Sequence, residues 1–256
     1  MAIQEICAVR ANEYLGSGLY RMVIETEKIA ASAACGQFVH LTCGEGNLLR
    51  RPISICDADS EAGTLTMLYE VKGDGTAWLA ARRAGDKIDV LGPLGHGFDA
   101  AKLGARPVLL GGGIGVPPML LTAKTCARNG AAVTMVAGAR TRDLVVLEPE
   151  FSDFDYTVCT DDGSYGVHGF VTDVLREKIT GATGVAACGP KPMLKAIAAI
   201  AKEAGVPCQV SMEERMGCGI GACLVCACAL SAKNGETRYG HVCKDGPVFD
   251  AEEVQW

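Results

Sequence analysis

The feature that most constrains this chain is a group of four cysteines near its carboxyl end. They follow the spacing Cys-x4-Cys-x2-Cys, and a fourth cysteine comes after sixteen intervening residues: Cys218, Cys223, Cys226 and Cys243. This is the plant-type spacing for a [2Fe-2S] cluster, which four thiolates hold. Gly217, Gly219 and Gly221 allow the loop to curl tightly and let peptide N–H groups point at the cluster sulfurs. The spacing predicts these four cysteines as cluster ligands.

Two other interpretations of the cysteines stay open at this point. A structural zinc site is one, but zinc favours paired Cys-x2-Cys arms or mixtures of cysteine and histidine. Here one arm has four intervening residues, and the nearby histidine is His241. Buried thiols without a ligand are the second alternative. Cys228 lies two residues beyond Cys226, and we expect it to be a packed thiol rather than a ligand.

The rest of the thirteen cysteines are spread singly along the chain. We expect seven of them to behave as small hydrophobic side chains: Cys7, Cys35, Cys43, Cys56, Cys126, Cys159 and Cys208. The amino terminus lacks the pattern of a secretory signal, in which basic residues precede an apolar run. The sequence therefore predicts a cytoplasmic protein with reduced thiols.

Composition and charge exclude several classes of protein. Thirty acidic against 24 basic residues give a net charge of −6, so no basic surplus exists to neutralise nucleic-acid phosphates. The longest uncharged run of interest, 107–123, contains four glycines and three prolines and is shorter than the roughly 20 residues that span a bilayer. We expect neither a nucleic-acid partner nor a membrane span.

The pattern of apolar residues and turn residues divides the chain into three segments. Residues 1–100 contain six short strand-like runs and one helical insert, which predict a small antiparallel barrel or sandwich. Residues 101–208 alternate strands with helices, which predicts a parallel sheet covered on both faces. Residues 209–256 contain the cysteines. The predicted strands are 5–11, 19–26, 37–43, 52–57, 64–71, 87–91, 107–110, 132–138, 156–160, 185–188 and 238–242, the predicted helices are 76–83, 117–128, 171–178 and 192–204, and 215–229 is predicted as a loop.

Two groups of residues in the first segment have the chemistry of a diphosphate site. The first group is Arg51, Pro52, Ile53 and Ser54, and the second is Leu68, Tyr69, Glu70, Gly75 and Thr76. An arginine followed by a hydroxyl on one strand suits a diphosphate and a ring nitrogen, and a glycine–threonine turn that opens a helix presents N–H groups to phosphate. A solvated charge at a strand edge and a plain turn are the alternative interpretations.

Two turns in the second segment suggest a dinucleotide site. Residues 111–118 follow a strand and open a helix, and they include Gly112, Gly113 and Gly115, but proline stands at the third glycine position of the Rossmann fingerprint. Cys188, Gly189 and Pro190 follow the last strand of this segment. A generic strand–helix turn and a helix-capping turn are the respective alternatives.

Taken in chain order, these motifs resemble the ferredoxin–NAD(P) reductase superfamily. They are Arg51-Pro52-Ile53-Ser54, Leu68-Tyr69 with Gly73-Asp74-Gly75-Thr76, Gly111–Pro118, and Cys188-Gly189-Pro190 with Met193. With the cysteine spacing, the whole chain resembles the family of electron-transfer subunits of dihydroorotate dehydrogenase B. This resemblance implies an antiparallel β-barrel FAD domain, an α/β nucleotide-binding domain and a small C-terminal [2Fe-2S] domain.

The resemblance also implies roles for individual residues. Arg51 would bind the FAD pyrophosphate, Ser54 would lie near the flavin N5, and Pro52 and Ile53 would be further contacts to FAD. Leu68, Tyr69 and Glu70 would line the flavin and ribityl group, and Gly75 and Thr76 would contact the phosphates. The turn of Cys188, Gly189 and Pro190 would approach the nicotinamide, and Gly112, Gly113 and Gly115 would face the dinucleotide phosphates.

The preference for NAD is argued from charge. Asp161 and Asp162 follow the third strand of the second segment, where NADP-using members of the superfamily tend to carry serine and arginine. Two carboxylates there would repel a 2′-phosphate and accept hydrogen bonds from ribose hydroxyls. Arg140 and Arg142 lie after the preceding strand and argue in the other direction. We expect NAD rather than NADP.

The three cofactors together indicate electron transfer. Nicotinamide moves two electrons as a hydride and the cluster moves one, so FAD between them is the required converter. The hydride step needs no acid or base, and we expect structural roles for His40, His96, His168 and His241. The three segments leave no room for a substrate domain of about 250 residues, so another polypeptide is expected to supply or take the electrons.

The resemblance implies which polypeptide this is. The partner polypeptide would be an FMN-containing subunit that oxidises dihydroorotate in pyrimidine (UMP) biosynthesis. The two chains would form a heterotetramer with two copies of each. Ile220, Leu224 and Val225 are unusually apolar for a loop and mark the expected contact surface. A reductase component for another iron–sulfur, oxygenase or hydrogenase partner is the alternative, and a redox-sensing or zinc-stabilised binding module is an alternative from another class.

Overall fold

The amino-terminal part of the chain forms a closed antiparallel barrel. The computed structural model describes residues 2–232 and 235–256. The six barrel strands are β1 (Ile3–Gly16), β2 (Leu19–Glu25), β3 (Phe38–Leu41), β4 (Arg51–Asp59), β5 (Thr64–Glu70) and β6 (Lys87–Leu94), in the order β1-β2-β5-β4-β3-β6. Met22 and Ile24 of β2 are fully buried, whereas Glu25 is exposed, because successive side chains of a strand point to opposite faces. Of the two predicted architectures, the barrel is confirmed.

Helices cover the barrel and a second sheet. They are α1 (Glu27–Ser32), α2 (Asp74–Ala80), α3 (Ala100–Leu103), α4 (Pro117–Arg128), α5 (Val171–Lys178) and α6 (Lys191–Glu203). The predicted bounds of α4 and α5 are confirmed, because prolines at the first turn of α4 and the regular spacing of Val171, Val174 and Leu175 in α5 mark these helices clearly. None of the helices in the described residues is both long and apolar enough to cross a bilayer.

The second sheet has seven strands, most of them parallel. They are β7 (Pro107–Gly112), β8 (Thr134–Ala139), β9 (Asp155–Thr160), β10 (Val167–His168), β11 (Gly184–Cys188), β12 (Cys208–Ser211) and β15 (Val248–Asp250), in the order β10-β9-β8-β7-β11-β12-β15. The first six run parallel, and β15 pairs antiparallel with β12. α4 packs between this sheet and β4 of the barrel, and α5 and α6 cover other parts of the sheet. The predicted parallel sheet is confirmed.

The carboxyl-terminal segment adds β15 to the large sheet and forms a small sheet of its own. β13 (Ala227–Ser231) pairs antiparallel with β14 (Thr237–His241). The predicted loop 215–229 is therefore wrong at its end, because β13 begins at Ala227. Strands β12 and β15 were not expected, since four and three residues are too few to show a period of two. The division of the chain at 100 and 208 stays a prediction, and residue 208 lies at the first position of β12.

Helix α2 differs from its predicted range for two local reasons. It begins at Asp74 because the Thr76 hydroxyl accepts from the peptide N–H groups of Lys72 (2.8 Å) and Gly73 (3.2 Å) and so closes the first turn. It ends at Ala80 because the Asn12 side chain of β1 donates to the carbonyls at its carboxyl end. Residues 81–83, which the sequence places in the helix, lie outside it.

Substitution of Asn12 tests this account of the carboxyl end of α2. Its Nδ2 donates to the carbonyls of Leu79 (2.9 Å) and Arg82 (3.0 Å), and its Oδ1 accepts from the Tyr69 hydroxyl at 3.0 Å. Asn12→Ala leaves these buried groups unpaired, and we expect the free energy of unfolding to fall by about 2 kcal/mol in urea denaturation. Gln4→Ala, which removes an exposed amide of the same strand, should change it by less than about 0.5 kcal/mol. Equal effects in the two variants would contradict this account.

Candidate functional site

The four predicted cluster cysteines lie together in two pairs. The Cys218 and Cys223 thiols contact each other, and so do those of Cys226 and Cys243. The described residues contain no group of three or more His, Cys, Asp or Glu side chains arranged to hold a metal ion as they stand. A mononuclear zinc site needs its ligands around one point, whereas two neighbouring thiol pairs match the needs of a cluster with two irons. The donor set fits a [2Fe-2S] cluster better than zinc.

Peptide N–H groups of the loop point at the cysteine sulfurs. The N–H of Gly221 donates to Cys243 Sγ at 3.1 Å, and those of Ala222 and Cys223 donate to Cys218 Sγ at 3.3 and 3.4 Å. Gly219 and Gly221 have φ angles of 75° and 78°, in the left-handed region that favours glycine. The expectation that glycines let N–H groups face sulfur is thus met at these two positions, and Gly217 lies outside the left-handed region.

The two thiol pairs differ in their electrostatic surroundings. Burial acts to raise the pKa of the Cys218 thiol, but the N–H groups of Ile220 and Cys223 outweigh it and lower that pKa to about 6. Burial raises the pKa of Cys243 to about 12, and its hydrogen bond with the Cys226 thiol acts in the same direction. Stabilised negative charge on sulfur is what iron ligation by cysteine requires, and the loop supplies it most strongly at Cys218.

The other cysteines are buried as expected. Cys228, two residues after Cys226, is 5% exposed and belongs to the same buried hydrophobic cluster as Leu230 and Phe249. The seven cysteines that the sequence assigns to packing are all buried free thiols. Burial raises the pKa of Cys7 and of Cys126 to about 11. Their prediction as small hydrophobic side chains is confirmed.

A cleft of about 180 Å³ lies between the barrel, the large sheet and the cysteine segment. It contains six of the predicted flavin residues, namely Pro52, Ile53, Ser54, Leu68, Tyr69 and Glu70. From the large sheet come Gly115, Cys188 and Gly189, which the sequence places at the nucleotide. Met216 and Val242 of the cysteine segment also line it. This cleft joins all three segments of the chain.

Arg51 lies beside this cleft and lines an adjoining cavity of about 820 Å³. Its guanidinium crosses Gly75 so closely that a Cβ there would lie 2.5 Å from Arg51 Nε. The predicted pyrophosphate residue and the predicted phosphate turn are therefore in contact, and a side chain at position 75 would displace the guanidinium. The Thr76 hydroxyl is occupied by the cap of α2, so its peptide group, rather than its side chain, is the part left to face a phosphate.

A third cavity, of about 510 Å³, lies at the carboxyl ends of the parallel strands. It is lined by the predicted residues Gly112, Gly113, Asp161 and Pro190. This is where open parallel sheets bind nucleotides. Glu70 and Ile114 line both this cavity and the cleft, so the two spaces adjoin. The sequence did not identify Phe170, which lines the cavity and is 61% exposed, because a single aromatic residue before a helix carries no motif.

The charged residues near this cavity separate into two groups. Asp161 and Arg140 line it. The carboxylate of Asp162 instead accepts from Ser164 N at 2.9 Å and Ser164 Oγ at 2.6 Å, and Arg142 lies 4.8 Å from the Tyr165 ring. Of the two aspartates and two arginines that bear on the choice between NAD and NADP, one aspartate and one arginine therefore line the cavity.

His40 is the residue that sequence reasoning did not connect with the cysteines. It lies in β3, is fully buried, and contacts Gly219 of the cysteine loop. Burial lowers its pKa to about 4, and the guanidinium groups of Arg50 and Arg51 act in the same direction. A neutral imidazole therefore separates the barrel from the loop. No sequence signal marks this contact, since it joins residues far apart along the chain.

Both the sequence and the fold of this chain are similar to those of known proteins. Residues 213–255 match the family described as iron-sulfur cluster binding domain of dihydroorotate dehydrogenase B. A solved structure of an NADH-dependent reduced ferredoxin-NADP oxidoreductase, from work on flavin-based electron bifurcation, superposes with a TM-score of 0.88 and 31% identity, covering 98% of this chain and 90% of that one. The barrel, the parallel sheet and the cysteine segment thus define a ferredoxin reductase-like electron-transfer protein with an iron–sulfur segment.

Two curated relatives narrow this class. The dihydroorotate dehydrogenase B (NAD(+)) electron transfer subunits of Geobacillus sp. (strain WCH70) and Geobacillus thermodenitrificans (strain NG80-2) are 46% and 45% identical to this chain. The alignments cover 99% and 98% of both partners, respectively. The chain belongs to the family of dihydroorotate dehydrogenase B electron-transfer subunits.

Proposed function

We propose that this chain carries electrons from an FMN-containing, dihydroorotate-oxidising subunit through a [2Fe-2S] cluster and FAD to NAD+, in pyrimidine (UMP) biosynthesis. The observation that carries the proposal is the cleft where three segments meet. Ser54 and Tyr69 of the barrel, Gly189 of the large sheet, and Met216 and Val242 of the cysteine segment line one space. A relay between three redox groups needs their sites to adjoin, and this arrangement provides that.

In this proposal the barrel holds FAD. Arg51 and the first turn of α2 at Gly75 would bind the pyrophosphate, because a guanidinium and free peptide N–H groups both favour phosphate. The Ser54 side chain makes no hydrogen bond within the described residues, so its hydroxyl is free to face the flavin ring. Tyr69 is held by Asn12 and stacks on Tyr20 at 5.8 Å, which fixes one wall of the cleft. Bound FAD exchanges a hydride with nicotinamide and single electrons with the cluster.

The cavity at the strand ends would hold NAD(H). Gly112 and Gly113 would face the phosphates, and Asp161 would accept from the adenosine ribose. Cys188, Gly189 and Pro190 would bring the nicotinamide to the cleft, since this turn lies where the cavity and the cleft adjoin. Residues 1–100, 101–208 and 209–256 would then be the FAD, nucleotide and cluster domains, and the protein would act in the cytoplasm.

The surface around the cluster loop would receive the FMN-containing subunit, in a heterotetramer of two copies of each chain. Ile220, Leu224 and Val225 are 53%, 77% and 56% exposed. Leu48, in the loop before Arg50, is another strongly exposed apolar side chain, at 97%. Apolar side chains exposed beside a predicted redox site are what a partner subunit would cover.

A second candidate is a reductase component that serves another iron–sulfur, oxygenase or hydrogenase partner. It is favoured by the likeness to the ferredoxin-NADP oxidoreductase structure, which reaches 31% identity over nearly the whole chain. The two candidates share every cofactor and differ in the partner. Identification of the protein that co-purifies with this chain from its native cell, followed by an assay for dihydroorotate-dependent NAD+ reduction, separates them.

The contact surface provides the test of the proposed partner. Ile220→Lys places a charge in the apolar surface, so co-purification of the dihydroorotate-oxidising subunit should fall at least about tenfold, since burying an unpaired charge is strongly unfavourable. NADH oxidation by artificial dyes should stay unchanged. Val167→Lys, at the opposite edge of the sheet from β15 and 42% exposed, is the matched control. Unchanged co-purification of Ile220→Lys would refute the surface, and a different co-purifying flavoprotein would favour the second candidate.

The cysteine assignment is tested by a pair of substitutions. Cys243→Ser should lose iron and sulfide but keep stoichiometric FAD, because the fourth ligand lies outside the barrel that holds the flavin. Cys228→Ser should keep both groups and lose only some stability through burial of a hydroxyl. Iron, sulfide and flavin contents of the purified variants, prepared without air, provide the measurement. Loss of iron in Cys228→Ser but not in Cys243→Ser would make Cys228 the cluster ligand and Cys243 the packed thiol.

The flavin assignment is tested at Arg51. Arg51→Ala removes a charge-assisted hydrogen bond to phosphate, which contributes roughly 1.5–3 kcal/mol. The dissociation constant of FAD should rise between about tenfold and a hundredfold, measured by flavin fluorescence during dilution, while the thermal midpoint of the protein without FAD stays close to that of wild type. Arg83→Ala, an exposed arginine of the same barrel, is the control. Equal FAD affinity in the two variants would remove Arg51 from the site.

The choice of NAD is tested at Asp161. A carboxylate about 4 Å from a 2′-phosphate costs about 1–4 kcal/mol between water and a protein surface. Asp161→Ser should therefore raise kcat/KM for NADPH about tenfold in dye reduction and lower that for NADH. Asp162→Ser, whose parent carboxylate is turned to Ser164, should change neither value appreciably. A wild-type preference for NADPH would contradict the assignment.

A further inference from the structure

His40 is a buried titratable group that the proposed function leaves without a role. It lies in β3, next to Pro52 of β4 in the register of the barrel sheet. Its main chain is therefore beside the strand that lines the flavin cleft. Its carbonyl accepts from Arg50 Nη1 at 3.2 Å, and Arg50 is itself fixed by Asp89 at 2.7 Å. The backbone that carries the imidazole is thus firmly held.

The side chain of His40 points out of the barrel and into the cysteine loop. A Cβ on Gly219 would lie 2.4 Å from His40 Nδ1 and 3.0 Å from Cε1. Nδ1 is therefore the ring atom that meets the loop. The carbonyl groups of Cys218 and Arg50 face the ring. The imidazole lies directly behind the first predicted cluster ligand.

The hydrogen bonding of this ring is incomplete. His40 is 0% exposed, and neither ring nitrogen has a hydrogen-bond partner within the described residues. An imidazole carries at least one N–H donor in either protonation state. A buried donor without a partner is unfavourable, and buried polar groups in native proteins are almost always paired. The unpaired ring N–H at this position would be stabilised by an acceptor in the cluster-loaded protein.

We propose that His40 is a positioning residue for the cluster loop, whose Nδ1–H donates to the carbonyl of Cys218 when the cluster is bound. This inference rests on the presence of the cluster in the proposed function. The peptide groups that follow this carbonyl include the N–H of Ile220, which stabilises negative charge on Cys218 Sγ. Fixing the carbonyl fixes the turn, and through it the strength of the hydrogen bond to the ligand sulfur.

The consequence concerns the reduction potential of the cluster. Hydrogen bonds to the sulfurs favour the reduced form, because it carries more negative charge. Loss of the His40 contact should loosen the turn and weaken the Ile220 bond to sulfur, so the reduced form becomes less stable. The flavin potential should not change, since the imidazole faces the loop and not the cleft. A purely structural role for His40 would affect stability without a shift confined to the cluster.

The experiment compares wild type, His40→Leu, His40→Asn and His168→Leu. Leucine fills the space without a donor, and asparagine places its Nδ2 near the position of His40 Nδ1. His168 is exposed on β10 and controls for loss of a histidine. Iron and sulfide are measured first, then the cluster potential by a titration followed by electron paramagnetic resonance, and the flavin potential by absorbance.

We expect the equilibrium constant for one-electron reduction of the cluster to fall about tenfold in His40→Leu, which is about 59 mV. His40→Asn should recover at least half of this shift, and His168→Leu should match wild type. A cluster potential in His40→Leu equal to that of wild type would overturn the inference. If His40→Leu takes up no iron, full iron content in His40→Asn supports the role of His40 as a hydrogen-bond donor. Loss of iron in both variants assigns His40 to packing and also overturns the inference. Wild type without iron would instead refute the proposed function.

Discussion

The arrangement of the three redox sites depends on a short stretch of main-chain hydrogen bonds that ties the end of the chain to the barrel and the large sheet. The N–H of His96, after the last barrel strand, donates to the Gly246 carbonyl at 2.6 Å, and the N–H of Val248 donates to the His96 carbonyl at 3.3 Å. The N–H of Met212 donates to the Pro247 carbonyl at 2.8 Å. Because residues 246–248 bond to both partners, the segment that ends the cysteine region cannot move independently of either. Backbone bonds of this kind are insensitive to side-chain identity, which suits a contact that must hold a geometry.

The backbone contact at residues 246–248 also bears on how the three predicted redox sites are arranged. The cleft and the cavity at the strand ends adjoin at Glu70 and Ile114, and the cysteine segment reaches the same cleft through Met216 and Val242. In the proposed function, FAD bound in the cleft would therefore lie next to both the nucleotide cavity and the cysteine segment. Gly115 makes the junction possible, since a Cβ there would lie 2.3 Å from the Cys188 carbonyl oxygen. Two different kinds of electron transfer would then be separated by position rather than by acid–base residues.

The sequence predicted the parts of this structure that local patterns encode. Helix α4 is marked by Pro117 and Pro118, the barrel strands by short apolar runs between turn residues, and the cluster segment by its cysteine spacing. The parts that were not predicted depend on contacts between distant residues. Strand β15 has only three residues and forms by pairing with the edge of β12 (Cys208–Ser211). Helix α2 ends where the Asn12 side chain donates hydrogen bonds to the carbonyls of its last turn. Met216 and Val242 could not be placed in the cleft because no motif relates them to Ser54. The burial of His40 against Gly219 likewise follows from the packing of the loop on the barrel, which no spacing in either segment reveals.

Two histidines, His40 in β3 and His96 just after β6, lie against the cysteine segment near its opposite ends. His96 Nδ1 lies 2.7 Å from the carbonyl of Lys244, one residue beyond the last predicted ligand, and His40 lies behind the first. The loop between them is left little freedom, since the Lys244 side chain crosses Gly221 so closely that a Cβ there would lie 2.5 Å from its Cδ. Glycine at this position serves the left-handed turn and the close approach together. A cluster bound here would have its distance from the flavin cleft set by the barrel, because both ends of its binding segment contact that part of the chain.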